Sequence, residues 1–277
     1  MENRSTGHKG AKGEERSSAA RRSRSSRGTD RQEIEWQYEV PHDLDEVREW
    51  LGGQGPGGCG LAVLEGSFKE FTDTYYDTED WRLYRAGYAL RVRRDASGSE
   101  ATMKSPVSDA AGNLRRWREI SEPLKSDEVD APLKAPGPVG VRSRALVGPC
   151  KMRRIFEVHT RRQTFDLLLA GRPAHPEKAQ TGGSAGATRI GEVALDDSEI
   201  PLDKGTSRLT RLEVEADASA ATASSKLEGF VKAMEEDLGL RPTKASKYEA
   251  GLSATGQNPD GEASSEPQAG GKGAKKE

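Results

Sequence analysis

Only two cysteines occur in the 277 residues, Cys59 and Cys150, both among glycine or proline and without metal-ligand spacing. That excludes a disulfide framework and a cysteine-based metal site, and it predicts a reduced, cytoplasmic chain. No apolar run reaches the ~18 residues a membrane span requires, and no apolar segment follows Met1, so neither spanning nor secretion is expected. Charge is balanced: 43 Lys and Arg against 45 Asp and Glu leave a net −2. No global field therefore favours a specific nucleic acid. Apolar residues make up 33% of the chain, and the shortage is concentrated at the ends. Residues 1–31, locally basic at Arg21, Arg22, Arg24 and Arg27, and residues 253–277 cannot bury enough surface to offset chain entropy. Both read as disordered tails around one folded domain, 32–252.

Within that domain the dominant signal has period 2. Polar and apolar residues alternate over 33–40, 68–76, 89–94, 100–104, 117–121, 155–169, 192–196 and 209–215, which predicts about eight strands. Turn-forming clusters such as Asp95-Ala-Ser-Gly separate several of them. Two segments have helical spacing. Leu44, Val47 and Leu51 follow Asp43 as N-cap, and Leu227, Phe230, Val231, Met234 and Leu238 precede Gly239. The run "GGQGPGGCG" contains GxGxxG, but it follows a helix and opens none, so it reads as a connector rather than a dinucleotide loop. Residues 171–188 read as a flexible Pro/Gly-rich insertion. The expected class is mainly β (α+β): an antiparallel barrel with a few helices outside.

The polar faces of these strands carry ionisable residues almost exclusively. Glu33, Glu35, Gln37 and Glu39 share one face; Arg91 and Arg93 share another, and so do Thr102 and Lys104. Later strands present Glu192, Ala194 and Asp196, then Arg211, Glu213 and Glu215. A solvated face would account for any single strand. The opposite faces, however, carry Leu, Val, Ile, Trp and Tyr, and the two amphipathic helices need an apolar partner. Closing the sheet with its apolar side outward makes the charged side a lumen, wide enough in an eight-stranded barrel for one small ligand. Buried like charges require counter-ions. Carboxylates suit Mg²⁺ or Mn²⁺, and Arg and Lys suit phosphate, so the lumen predicts a metal-chelated polyphosphate.

The glutamates of the first strand, "YYDT", "GYALRVRR", "TMK", "GEVALDD", "LEVE" and "ASKY", in this order, resemble the CYTH family of triphosphate tunnel metalloenzymes. These include thiamine triphosphatases, inorganic triphosphatases and class IV adenylyl cyclases. The resemblance covers 32–252 and implies an eight-stranded antiparallel tunnel that holds a triphosphate against divalent cations. Glu33 and Glu35 match the carboxylates of an ExExK motif with catalytic and metal-binding roles. Asp196, Glu213 and Glu215 match further metal ligands. Arg91, Arg93, Lys104 and Lys247 match phosphate-binding cations, as does Arg162, although adjacent Arg161 offers an alternative register. Glu119 and Arg118 fall near another motif position, and Glu192 precedes the "VALDD" stretch. Gln37 departs from the motif, standing where the family has lysine.

The implied activity is Mg²⁺- or Mn²⁺-dependent hydrolysis of a small-molecule triphosphate by water attack on the terminal phosphorus. Inorganic triphosphate needs only the tunnel. Thiamine triphosphate or a nucleotide also needs a pocket, for which Tyr75, Tyr76, Trp81 and Tyr84 are available. Because Gln37 removes a charge, a weakly active or non-catalytic polyphosphate- or nucleotide-binding module is the alternative, ahead of an adenylyl cyclase.

Overall fold

The computed structural model describes residues 28–40, 43–53, 56–107, 114–169, 187–217, 224–243 and 245–261. Residues 1–27, 262–277 and most of the 171–188 insertion lie outside them. Eight long strands dominate: β1 (Thr29–Glu39), β2 (Leu61–Thr78), β3 (Ala89–Asp95), β4 (Gly98–Pro106), β5 (Leu114–Leu124), β6 (Met152–Leu169), β7 (Thr188–Pro201) and β8 (Thr206–Ala216). The antiparallel order β5-β4-β3-β2-β6-β7-β8-β1 closes on itself because β1 also pairs with β5, with Glu33 opposite Trp117 and Glu35 opposite Arg115. A two-residue strand, β9 (Arg241–Pro242), pairs with the end of β1.

The ring is apolar outside and charged inside. Trp36, Tyr38, Val193, Leu212 and Val214 project outward into a cluster completed by helices α1 (Leu44–Gly52) and α5 (Ser224–Leu238), through Leu44, Val47, Leu51, Leu227, Phe230 and Met234. Burying each such side chain is worth about 1.5–3 kcal/mol. Asp43 caps α1 as its sequence position predicts, accepting the Asp45 N–H at 3.1 Å. A second outer cluster packs Leu90, Val92, Ala101 and Met103 under α2 (Arg82–Arg85) and α4 (Pro138–Val147). Asp77 holds α2 in place by accepting the N–H groups of Leu83 and Tyr84. The third cluster joins Tyr75, Phe156 and Val158 to Tyr248 and Leu252 of α6 (Lys247–Ala254).

Helical periodicity predicts two helices; six α-helices form among the described residues, including the one-turn α3 (Ala131–Lys134). Among these, α6 has a Ser246/Glu249 capping box, and its short inner face sets Gly251 between Tyr248 and Leu252: a Cβ on Gly251 would stand 2.1 Å from the Phe156 ring. A face this short leaves no extended apolar stripe for periodicity to find. The tail boundaries also move outward. β1 begins at Thr29, and the Tyr84 hydroxyl donates to Asp260 at 2.7 Å, beyond Leu252. No helix among the described residues is long and apolar enough to cross a membrane.

Candidate active site

Strand alternation and ring closure bring the ionisable stripes together around one cavity of about 820 Å³. Glu33, Glu35 and Gln37 line it from β1, Arg91 and Arg93 from β3, and Lys104 from β4. Glu119 contributes from β5, Arg162 from β6, Glu192 from β7, Glu213 and Glu215 from β8, and Lys247 from α6. Asp196 lies behind this wall, fully buried, and both its oxygens accept from Arg162 at 2.6 Å while Lys247 also reaches it. Arg162 and Lys247 bind Glu213 as well, at 2.7 and 3.2 Å. These cations hold both carboxyl groups below their usual range, although burial alone would raise them.

The register ambiguity in the β6 arginines resolves. Arg162 points inward, whereas Arg161 is 56% exposed and pairs with Asp197. Arg118 likewise points outward and pairs with Asp30 at 2.8 Å. Glu192 is engaged by Arg189 at 3.0 Å. Of the aromatics available for an organic group, Tyr75 and Tyr84 line the cavity; Tyr76 belongs to the second outer cluster and Trp81 to the third.

Four residues outside the expected set also belong to the site: Asp73, Arg31, Arg115 and Trp117. Asp73 is 0% exposed and takes a bidentate fork from Arg93 at 2.8 Å, with Arg91 at 3.6 Å. The Arg93 guanidinium also stacks 3.7 Å from the Phe71 ring centre. Arg31 bridges Glu119 and Glu215, at 3.2 and 3.4 Å. Period-2 counting from Glu33 would have reached Arg31, had the strand been extended by one step.

One wall holds two buried polar groups without partners. Arg91 Nε and Thr102 Oγ1 are buried with no hydrogen-bond partner among the described residues, and both side chains line the cavity. Orphaned donors of this kind mark a place where an acceptor belongs. The other wall is short of positive charge. Glu35 and Glu215 are cross-strand partners. Burial pushes Glu35 up to about 7 against the pull of Lys104, with Glu213 and Glu33 adding repulsion. Burial and the Glu33 carboxylate push Glu215 up to about 7. Glu119 shows the contrast: against the effect of burial, Lys104, Arg91 and Arg31 hold it at about 2.

Among the described residues, no three His, Cys, Asp or Glu groups already stand in metal-holding geometry. The donor chemistry nevertheless fits a hard divalent cation. All the donors are carboxylate oxygens, and the opposed Glu35 and Glu215 lack a full complement of counter-charge.

Residues 31–251 match the CYTH domain. The chain belongs to the CYTH domain family. Human thiamine-triphosphatase is 32% identical over 103 residues, 36% of this chain and 44% of that protein, so the chain spans under half the length of this relative. HpAC1 from Hippeastrum, described as having a dominant triphosphatase activity, is 16% identical; 80% of this chain and 96% of that one superpose with a TM-score of 0.49. PH1819 from Pyrococcus horikoshii is also 16% identical, over 80% and 99% of the two chains, with a TM-score of 0.44. In this CYTH domain, Gln37 donates from Nε2 to Glu35 Oε1 at 2.6 Å, and Trp117 Nε1 donates to the same oxygen at 2.7 Å. The motif's departure from lysine thus leaves a neutral clamp on a buried carboxylate.

Proposed function

We propose that the chain hydrolyses a small-molecule triphosphate, inorganic or organic, with Mg²⁺ or Mn²⁺. The observation that carries this reading is one cavity in which a wall of cations, with the Arg91 Nε and Thr102 Oγ1 groups left unpartnered, meets a wall of carboxylates short of counter-charge. A ligand that is itself a polyanion carrying a divalent cation satisfies both walls.

Arg91, Arg93, Lys104, Arg162 and Lys247 bind phosphoryl oxygens and hold the chain extended for in-line attack. Glu33, Glu35, Glu213 and Glu215 would hold the metal, and Asp196 would position Arg162 and Lys247. A bound divalent cation would polarise the phosphoryl oxygens and acidify water. Water adds to the terminal phosphorus, the bond to the bridging oxygen breaks, and the leaving diphosphate keeps that electron pair. A lumen carboxylate takes the water's proton. Gln37 and Trp117 fix one oxygen of Glu35 and leave the other free to face the metal.

Phosphate release from tripolyphosphate, thiamine triphosphate and ATP, each with Mg²⁺, Mn²⁺ or EDTA, tests the reading. Release that depends on the metal for at least one substrate is expected. Tight binding with no release from any of them would favour a polyphosphate-binding module, the reading that the neutral Gln37 supports.

A further inference from the structure

Two arginines from the strands flanking β1 converge beside Gln37, and no carboxylate claims either of them in an ion pair among the described residues. Arg115, on β5, is the cross-strand partner of Glu35 and so the diagonal neighbour of Gln37 on the lumen face. Its side chain lines the cavity although the residue is only 8% exposed. Arg115 Nη2 donates to the Thr243 carbonyl at 2.8 Å, and Thr243 in turn donates its N–H to the Gln37 carbonyl at 3.0 Å. The guanidinium is thereby tied to the backbone next to Gln37. The Trp117 ring, 5.9 Å away, covers its other side.

Arg211 approaches from the other flank. On β8 it pairs with Glu39, two residues beyond Gln37, and its Nε and Nη1 are buried with no hydrogen-bond partner among the described residues. A buried guanidinium is costly unless an anion compensates it, and what stands closest to Arg115 is the Thr243 carbonyl and the neutral Gln37.

We propose that Arg115 is a phosphate-binding residue of this chain, placed in the lumen beside Gln37 and backed by Arg211, and that it supplies the positive charge Gln37 lacks. The proposal rests on the triphosphate reading above. It requires Gln37 to be neutral, since a lysine there would meet two arginines already present.

Calorimetric titration of the full chain with inorganic tripolyphosphate in EDTA, where no turnover is expected, separates the possibilities. Arg115→Gln should weaken binding about tenfold or more, the loss of one charge-assisted contact. Gln37→Lys alone should tighten binding by less than about threefold, but in the Arg115→Gln background it should restore most of the loss. That rescue distinguishes a charge contact from damaged folding, which a lysine at 37 would not repair. Binding within twofold of the parent for Arg115→Gln overturns the proposal, and so does a loss that Gln37→Lys leaves unrepaired. Failure of the intact chain to bind tripolyphosphate at all overturns the triphosphate reading itself.

Discussion

Glu35 and Glu215 face each other directly across the β1–β8 ladder, one carboxylate buried and the other partly exposed, in register on the inside of a closed sheet. Nothing in local strand geometry requires that opposition, and like charges at such a position destabilise the pair. Glu215→Gln should therefore raise the melting temperature of the metal-free chain by about 2–3 °C, even though Glu215 loses its contact with half-exposed Arg31. The same change should remove metal-dependent phosphate release. A variant that melts below the parent in EDTA would show that the two carboxylates are not in conflict.

Glu213 has the opposite electrostatic setting, engaged by Arg162 and Lys247. Glu213→Gln should reduce kcat by about a hundredfold or more, by misplacing two phosphate-binding cations at once. Circular dichroism should show the strands intact. Turnover close to that of the parent would take Glu213 out of the site.

Adjacent Arg161 and Arg162 make an internal control. Arg162→Gln should lower kcat/KM about a hundredfold. Arg161→Gln breaks only an exposed pair with Asp197 and should change stability by no more than about 0.5 kcal/mol. Equal losses in steady-state kinetics would contradict the inward and outward assignments.

Asp73 sets the acid sensitivity. Burial would raise its carboxyl, but Arg93 and Arg91 hold it well below the ordinary value of 3.8. A lowered carboxylate contributes stability that is present above its unfolded pKa and is lost as pH falls toward the folded one. Asp73→Asn leaves two guanidinium groups uncompensated and should cost about 3 kcal/mol or more at neutral pH. In urea unfolding, the gap between variant and parent should narrow as pH falls from about 4 toward 2. A gap independent of pH would mean that charge is not what Asp73 contributes.

The outer surface of the ring carries the apolar core, so Phe230→Ala on α5, which truncates a fully buried ring, should cost about 3–5 kcal/mol. Tripolyphosphate affinity of the folded fraction should remain within about twofold, because the helix touches only the outer face. A change in affinity matching the loss in stability would couple the two faces more tightly than the packing indicates.

Alternation alone determined which residues share a face, since successive side chains on a strand must point to opposite sides. Glu33 with Glu35, Arg91 with Arg93 and Glu213 with Glu215 were legible for that reason, and so was Trp36 as an outward anchor under a helix. The N-cap of α1 and the apolar stripe of α5 were equally local. What lay beyond the sequence is every relation set by pairing between distant strands. Closure of β1 on β5 decides that Arg115 stands opposite Glu35. The β6–β7 register decides that Arg162, not Arg161, meets Asp196. Asp73 acquired its meaning only when β3 brought Arg93 alongside it. Sequence fixes a side chain's face because that depends on its own backbone, whereas its partner depends on where another strand, often a hundred residues away, is hydrogen-bonded.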